Sequence, residues 1–178
     1  MRAGNPETIL SAQQVTSCTP FLIAGGCNGG NTEKAYTYAE AGLELDSDYP
    51  YVSGTTEKTG TCKTSTSLFV VKTTAYTTVS DSASGESKMA TWVQKTGPLS
   101  VCVDAETWST YTGGVLSTCG TNVDHCVQAV GIDTAAGYWK VRNSWGTAWG
   151  ESGYIRLAYG ANTCAIASDA TYATAVSY

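Results

Sequence analysis

Residues 123–150 decide the fold of this chain and read VDHCVQAVGIDTAAGYWKVRNSWGTAWG. His125, the only histidine of the chain, begins an apolar run that ends at a glycine, which is typical of a buried strand. A second strand, Tyr138 to Asn143, follows a short turn-like segment that also ends in glycine. A hairpin of these strands brings His125 close to Asn143 and places Trp145 just beyond them.

This arrangement has a chemical use. An imidazole is a base near neutral pH, but its ring must be held in one orientation. The amide oxygen of Asn143 can accept a hydrogen bond from one ring nitrogen of His125, and the indole of Trp145 can keep water from that bond. The three residues therefore match the base and orienter of a nucleophile–base–orienter triad. The alternative is a structural histidine inside a β-hairpin.

Asp-His before an apolar strand, followed by Asn-Ser-Trp-Gly and Trp-Gly, resembles the papain-like cysteine peptidases. Five further motifs extend the resemblance over nearly the whole chain: Leu10–Val15 (LSAQQV), Gly26–Gly30 (GCNGG), Asp48–Tyr51 (DYPY), Gly97–Val101 (GPLSV) and Gly153–Arg156 (GYIR). The resemblance implies an α+β, papain-like two-domain fold. A truncated helical left domain would cover 1–77, and an antiparallel, β-barrel-like right domain would cover 78–178. It also implies catalytic roles for His125, Asn143 and Trp145.

The nucleophile that such a peptidase requires is not recognisable among the 178 residues. The Cys-Gly-Ser/Ala-Cys-Trp motif of the papain type precedes the His and Asn by about 130–150 residues, and His125 is too close to Met1 for that. We therefore expect the cysteine upstream of residue 1, with Met1 to Pro6 following the helix that carries it. The chain would be the C-terminal part of a cysteine endopeptidase, inactive alone.

Two alternatives to a peptidase fragment stay open. One is a natural pseudopeptidase or peptide-binding module without a nucleophile. The other is a silica-forming relative of the cathepsins, which carries serine at the nucleophile position. The upstream coding sequence separates the three, because only a peptidase shows Gln followed by Cys-Gly-x-Cys-Trp there.

The resemblance also implies a substrate cleft. In the family, the glycines matching Gly29 and Gly30 bind an extended substrate through main-chain hydrogen bonds, whereas ordinary turn chemistry is the alternative. The pocket for the residue two before the scissile bond maps onto Thr32, Cys102, Asp124, Cys126 and Asp169. Asp169 matches the floor of that pocket, where a carboxylate can pair with arginine. The alternative is a solvated aspartate at the start of a strand.

Seven cysteines in a chain with 14% charged residues indicate an oxidising compartment. Their spacing and the single histidine do not fit a zinc site, and we predict neither metal nor cofactor. The resemblance implies two disulfides, Cys18–Cys62 and Cys119–Cys164. It leaves Cys27 without its family partner. Cys102 and Cys126 read as small buried thiols in strands.

Composition limits the partners and the location. The net charge is −5 and no basic patch is visible, so nucleic acid is not an expected partner. No apolar run is long enough for a bilayer, and Met1 to Pro6 lacks the apolar centre of a signal peptide. Expected partners are a peptide or protein substrate and a propeptide or cystatin-like inhibitor, for an enzyme that is monomeric when complete. Family and cysteine content predict a lysosomal, vacuolar or extracellular location.

Hydrophobic periodicity predicts two longer helices. One runs from Thr32 to Ala41 with Asn31 as its cap, and the other runs from Glu86 to Lys95. A short buried strand is predicted at Leu99 to Val103. The segment Trp108 to Tyr111 is predicted as a single helical turn.

Overall fold

A computed structural model describes residues 7–20 and 25–177, so the segment Met1 to Pro6, predicted to follow the helix that carries the nucleophile, lies outside the described residues. The chain divides into two compact units. The first comprises Met1–Tyr76 and Ala173–Tyr178, and the second comprises Thr77–Tyr172. This division keeps the C-terminal residues with the first unit, whereas the sequence-based ranges 1–77 and 78–178 assigned them to the second.

The first unit consists mainly of short helices around a small core. Its helices are α1 (Ala12–Cys18), α2 (Thr32–Ala39) and α3 (Ser53–Thr56), with 3₁₀ turns at Gly26–Asn28 and Thr66–Leu68. The side chain of Ser11 caps α1 and that of Asn31 caps α2, each accepting a backbone N–H of the first turn. Ala39, Leu43 and Val71 form the buried apolar cluster of this unit. In the described part of the chain, no helix has the length and apolarity to cross a membrane.

Two adjacent buried glutamines tie the loops of the first unit together. Gln13 Oε1 accepts hydrogen bonds from the backbone N–H groups of Val52 and Ser53, at 2.8 and 2.9 Å. Gln14 Oε1 accepts one from the Glu44 N–H at 2.7 Å. A buried polar group left without a partner costs about 1–3 kcal/mol. These hydrogen bonds are therefore needed for the two glutamine side chains to be buried.

A seven-stranded sheet follows, in the spatial order β1-β7-β2-β4-β5-β6-β3. Its strands are β1 (Lys72–Ser80), β2 (Leu99–Val103), β3 (Val115–Leu116), β4 (His125–Asp133), β5 (Tyr138–Arg142), β6 (Tyr154–Ala158) and β7 (Ala170–Ser177). Helix α4 (Glu86–Lys95) precedes β2, and 3₁₀ turns lie at Ala83–Gly85, Trp108–Thr110 and Thr163–Ala165. The unit boundaries fall inside β1 and β7.

Alternating burial orients the central strands of the sheet. Val127 and Ala129 of β4 are buried, as are Trp139 and Val141 of β5, whereas the residue between each pair is exposed. Strand β2 pairs antiparallel with β4 and β7, and β5 pairs antiparallel with β4 and β6, while β3 runs parallel to β6. Short helices together with a mostly antiparallel sheet confirm the predicted α+β class.

The predicted helices agree closely with the structure. Helix α4 and strand β2 occupy the predicted ranges. Helix α2 ends at Ala39 instead of Ala41, because the chain tightens there and the Glu40 N–H bonds to the Thr37 carbonyl in the 3₁₀ manner.

Candidate active site

Strands β4 and β5 form the predicted hairpin and bring His125 next to Asn143. His125 Nε2 lies 2.8 Å from Asn143 Oδ1. Strand β4 begins at His125 and Asn143 directly follows β5, so both residues stand at the open end of the hairpin. The short connection between the strands makes this proximity a local consequence of the sequence.

A β-bulge interrupts the pairing of β4 with β5. Near the tip of the hairpin Gly131 pairs with Lys140, but toward the open end Ala129 pairs with Val141. Strand β4 therefore carries an extra residue, Val130, between these pairs. An offset of one residue reverses the face toward which every later side chain points.

This offset places the histidine and the asparagine on one face of the sheet. At the open end of the hairpin, Gln128 pairs with Arg142. Extending this pairing by one residue puts Asn143 opposite Val127. Val127 points the same way as His125, because side chains alternate along a strand. In a hairpin without the bulge, Asn143 would stand opposite Gln128 and point away from His125.

The carboxamide of Asn143 determines the tautomer of the imidazole. Asn143 Oδ1 also accepts a hydrogen bond from the Ser144 N–H at 2.7 Å, which identifies this atom as the oxygen because an amide nitrogen could not accept it. The ring nitrogen that faces the oxygen, Nε2 of His125, therefore carries a hydrogen and donates it. Nδ1 of the neutral ring keeps the lone pair that can take up a proton.

Indole rings pack against the imidazole of His125. Trp145 stacks on the imidazole with ring centroids 5.3 Å apart and planes inclined by 25°. Trp108, which is fully buried, stands at 87° to the imidazole with a centroid distance of 6.3 Å, and Trp149 stacks on Trp108 at 6.1 Å. Trp145 is 42% exposed and forms the outer cover. Excluding water from the bond strengthens it.

Sequence reasoning predicted the 3₁₀ turn that contains Trp108 but not the contact of Trp108 with His125. The local sequence WSTY has no feature that marks a residue near an active site. The contact arises because the Trp108 indole is packed into the core of the second unit together with Val127 and Ala129 of β4. It is a long-range packing relation that the order of residues does not reveal.

The segment before His125 is tied to the end of β2. Asp124 N–H donates to the Val103 carbonyl at 3.0 Å, and Asp124 Oδ1 accepts from the Ala105 N–H at 2.8 Å. Asp124 was predicted to line a substrate pocket, and one of its carboxylate oxygens is engaged within the protein. These bonds hold the backbone directly before the imidazole.

Comparison with known families supplies the wider context. The model for the papain family of cysteine proteases matches residues 1–174. The chain belongs to this family. Cathepsin L 2 of Paramecium tetraurelia is 43% identical over 163 residues, covering 91% of this chain and 48% of that protein. Cysteine proteinase A of Leishmania mexicana is 38% identical over 169 residues, covering 91% of this chain and 46% of that protein. The chain thus spans about half the length of these curated relatives.

Two solved structures share the fold of this papain-family chain. Digestive procathepsin L 3 of the Tenebrio molitor larval midgut matches with a TM-score of 0.84 and 33% identity, covering 96% of this chain and 57% of that one. The bromelain protease of Ananas comosus, solved in complex with the E64 inhibitor, matches with a TM-score of 0.78 and 35% identity, covering 96% of this chain and 80% of that one. These matches confirm the predicted papain-like fold.

Three disulfides are formed in the described part of the chain, namely Cys18–Cys62, Cys102–Cys126 and Cys119–Cys164. The first and the third are the pairs that the papain-family resemblance implied. The second corrects the expectation of two buried thiols. Cys102 and Cys126 stand directly opposite each other in β2 and β4, and strand register is not readable from their positions in the sequence. Cys27 is free and exposed.

The positions predicted to bind substrate fall in both units. Those of the first unit follow the 3₁₀ turn Gly26–Asn28 and reach the start of α2, namely Gly29, Gly30 and Thr32. In the second unit, Asp124 and Cys126 flank the histidine in the chain. Cys102 N–H donates to the Asp169 carbonyl at 3.0 Å, so these two positions are neighbours in space.

An ion pair lies beside the aromatic cluster. Arg156 Nε and Nη2 donate to the Glu151 carboxylate, to Oε2 at 2.9 Å and Oε1 at 2.6 Å. These hydrogen bonds hold the pKa of Glu151 below its usual range. Burial raises the pKa of Tyr111, whose ring centroid lies 5.6 Å from that of Trp149. Within residues 7–20 and 25–177, no group of three or more His, Cys, Asp or Glu side chains could hold a metal ion.

Proposed function

We propose that the protein containing this chain is a papain-like cysteine peptidase. In this peptidase, His125 takes up the proton of the nucleophilic thiol, and Asn143 orients the imidazole ring of His125. One observation carries the proposal: the bond from His125 Nε2 to Asn143 Oδ1 at 2.8 Å, covered by Trp145. This bond leaves Nδ1 as the basic nitrogen of the ring. A base held in this way is useful beside an acidic nucleophile such as a thiol.

The nucleophilic thiol comes, in this proposal, from a part of the protein outside the 178 residues. Six of the seven cysteines are paired in disulfides and are not nucleophiles. The seventh, Cys27, lies in the 3₁₀ turn of the first unit, and its N–H donates to Thr59 Oγ1 at 3.1 Å. The relatives extend over about twice the length of this chain, which leaves ample room for the thiol.

The geometry leads to the following reaction. The thiol gives its proton to His125 Nδ1, and the resulting thiolate attacks the scissile carbonyl. The imidazolium then protonates the leaving amine, so that an acyl-enzyme remains. His125 next takes a proton from water, and the hydroxide releases the acyl group. Asn143 Oδ1 keeps its bond to Nε2–H throughout and fixes the ring in both charge states, while Trp145 shields that bond.

The test maps the reactive thiol in the complete protein. We expect hydrolysis of a dipeptidyl fluorogenic substrate, abolished when iodoacetamide alkylates a cysteine outside residues 1–178. The variant Cys27→Ser should stay active, and His125→Ala should lose at least about 100-fold of kcat/KM. If iodoacetamide inactivates the parent protein by alkylating Cys27, and if Cys27→Ser is inactive, the nucleophile does not lie outside residues 1–178. A complete protein that binds peptides without turnover would overturn the peptidase and leave a binding module.

We also propose that Asp169 allows the enzyme to accept arginine, as well as leucine or phenylalanine, at the second residue before the scissile bond. Its carbonyl accepts from the Cys102 N–H, which places Asp169 beside the predicted pocket position Cys102. The residue is half-buried, and a carboxylate can pair with a guanidinium through two parallel hydrogen bonds. Asp169→Asn should lower kcat/KM about tenfold for substrates with Arg at that position and leave substrates with Phe unchanged. Equal losses for both would remove this role.

Peptides and proteins are the proposed substrates, and a propeptide or a cystatin-like protein is the proposed inhibitor. The proposed location is an oxidising compartment, lysosomal, vacuolar or extracellular. Three disulfides support it, because such bonds persist where thiols are not kept reduced. The location of the tagged complete protein in its own cells tests this proposal.

A further inference from the structure

The disulfide Cys102–Cys126 occupies a particular position in the sheet. The two residues are directly opposite each other in the antiparallel pair of β2 and β4. Cys102 N–H points the other way and donates to the Asp169 carbonyl at 3.0 Å. Cys102 and Cys126 therefore form a non-hydrogen-bonded pair, at which antiparallel strands come closest and side chains touch. The bridge is thus the direct link between the strands at this point.

The bridge adjoins the proposed base in the chain. Cys126 follows His125, and His125 itself is paired with Val103 of β2. On the other side of the histidine, Asp124 is bonded to the backbone of Val103 and Ala105. The backbone of His125 is thus held by its own pairing with β2, by a covalent link after it and by hydrogen bonds before it. Of these three attachments, only the disulfide can be opened by chemistry.

Access to the two sulfurs differs. Cys126 is exposed, whereas Cys102 is 4% exposed. A thiolate can attack a disulfide only at a sulfur that it can reach, so exchange begins at Cys126. In the disulfide Cys119–Cys164, by contrast, Cys164 is 1% exposed and Cys119 is only half-buried.

We propose that Cys102–Cys126 is a thiol–disulfide exchange site whose state controls the position of His125. The oxidised bridge holds the start of β4 against β2 and keeps the imidazole on Asn143. After reduction, the two sulfur atoms need van der Waals separation, so the strands part or a side chain rotates beside the histidine. The effect of reduction on peptide hydrolysis rests on the proposed function, but the movement of the imidazole ring does not.

The reductant is a dithiol. One thiolate of the dithiol attacks Cys126 Sγ, the bond between the two cysteine sulfurs breaks, and Cys102 leaves as a thiolate that takes a proton. The second thiol of the reductant then loses its proton. Its sulfur attacks the other reductant sulfur, the one bonded to Cys126 in the mixed disulfide, and Cys126 is released. Two electrons pass from the dithiol to the bridge. The products are two cysteine thiols and an oxidised, cyclic disulfide.

The exchange step is tested by differential alkylation of the folded complete protein. Samples are held in graded dithiothreitol, alkylated and analysed by peptide mass spectrometry. At a fixed, short incubation time, we expect Cys102 and Cys126 to be labelled at a dithiothreitol concentration about tenfold below that which opens Cys119–Cys164, because the rate of attack depends on access. Opening of Cys119–Cys164 first, or of both bridges together, would overturn the exchange site.

The effect on the base is read by NMR on the complete protein, in which the imidazole signals that disappear in His125→Ala are those of His125. In the oxidised protein we expect an Nε2–H tautomer with a slowly exchanging proton. In Cys102→Ser/Cys126→Ser, the exchange of that proton with water should accelerate about tenfold or more, as expected for local opening. The matched control is Cys18→Ser/Cys62→Ser, which removes a bridge of the first unit that also has an exposed member, Cys62. The control should leave the imidazole signals unchanged.

Each outcome decides the matter. Unchanged tautomer and exchange in the Cys102→Ser/Cys126→Ser variant would overturn the proposal, and so would the same change in the control. If circular dichroism shows that the serine variant is unfolded, Cys102→Ala/Cys126→Ala replaces it with small apolar side chains. Unfolding of both would make the bridge a requirement for folding and would also overturn it. Because no peptide hydrolysis is measured, failure of the proposed function does not affect this test.

Discussion

The indole nitrogen of Trp139 in β5 donates a 2.8 Å hydrogen bond to Glu86 Oε1 at the start of α4. The other carboxylate oxygen, Oε2, accepts from the Gly160 and Asn162 N–H groups at 3.0 and 2.8 Å. Glu86 is 6% exposed and Trp139 is fully buried. A buried carboxylate is tolerated only with such partners. The Glu86 carboxylate joins helix α4, the hairpin of β4 and β5, and the loop after β6.

Replacing Glu86 should therefore destabilise the protein. Glu86→Ala leaves three N–H groups without their acceptor, and we expect a loss of about 3 kcal/mol in the free energy of unfolding. Glu86→Gln keeps one acceptor and should cost less. Urea unfolding followed by circular dichroism measures both. Glu106→Ala, at an exposed glutamate of the same unit, is the control. A loss below roughly 0.5 kcal/mol in Glu86→Ala would contradict this account.

The orientation of the imidazole by Asn143 predicts a kinetic signature. In the complete protein, Asn143→Ala should lower kcat about 100-fold while KM changes little, because the ring loses its fixed tautomer but substrate contacts remain. Ser144→Ala is the control, since only the backbone N–H of Ser144 bonds to the Asn143 oxygen. Steady-state hydrolysis of a fluorogenic peptide provides both constants. An effect on KM alone would show that Asn143 does not act through the imidazole.

Gly120 packs closely against the buried carboxylate of Asp104. A Cβ at Gly120 would lie inside van der Waals contact of Asp104 Oδ2, the atom that also accepts the Asn122 N–H at 2.8 Å. Gly120→Ala should therefore cost about 1–3 kcal/mol of stability, as overpacking does. Gly113→Ala is the matched control, because a Cβ there meets its nearest neighbour, Glu151 Oε1, at an ordinary 3.5 Å. Thermal unfolding of both variants decides, and equal melting temperatures would contradict the prediction.

The ion pair of Glu151 with Arg156 predicts a pH effect on stability. Hydrogen bonds from Arg156 lower the pKa of Glu151 in the folded chain. The stabilisation is therefore complete above pH about 4.3, where glutamate titrates in an unfolded chain, and is lost as the pH falls through the lower folded value. Glu151→Gln should be less stable than the parent chain at pH 7, and the difference should shrink in acid.

Melting temperatures from pH 7 down to pH 3 measure this difference. Glu106→Gln, which removes an exposed carboxylate of the same unit, serves as the control for the loss of one negative charge. A difference between Glu151→Gln and the parent that stays constant across this range would show that the ion pair does not contribute through the charge of Glu151.

Much of the site was predictable because it depends on local order. The histidine starts one strand, the asparagine follows the next, and a short turn joins them, so their proximity follows from the hairpin alone. The ranges of α4 and β2 were predicted for the same reason, since periodicity and turn residues mark their ends. The contact of Trp108 with the imidazole was missed because it crosses the core.

The sequence by itself determined the family, the hairpin, and the nearness of His125 to Asn143 at its open end. Only the tertiary structure decided that Val130 bulges out, and this bulge turns Asn143 toward His125. It also decided that Cys102 meets Cys126. The physical reason is the same for both: strand register is set by packing over the whole sheet, and a shift of one residue changes every facing pair without any mark in the sequence.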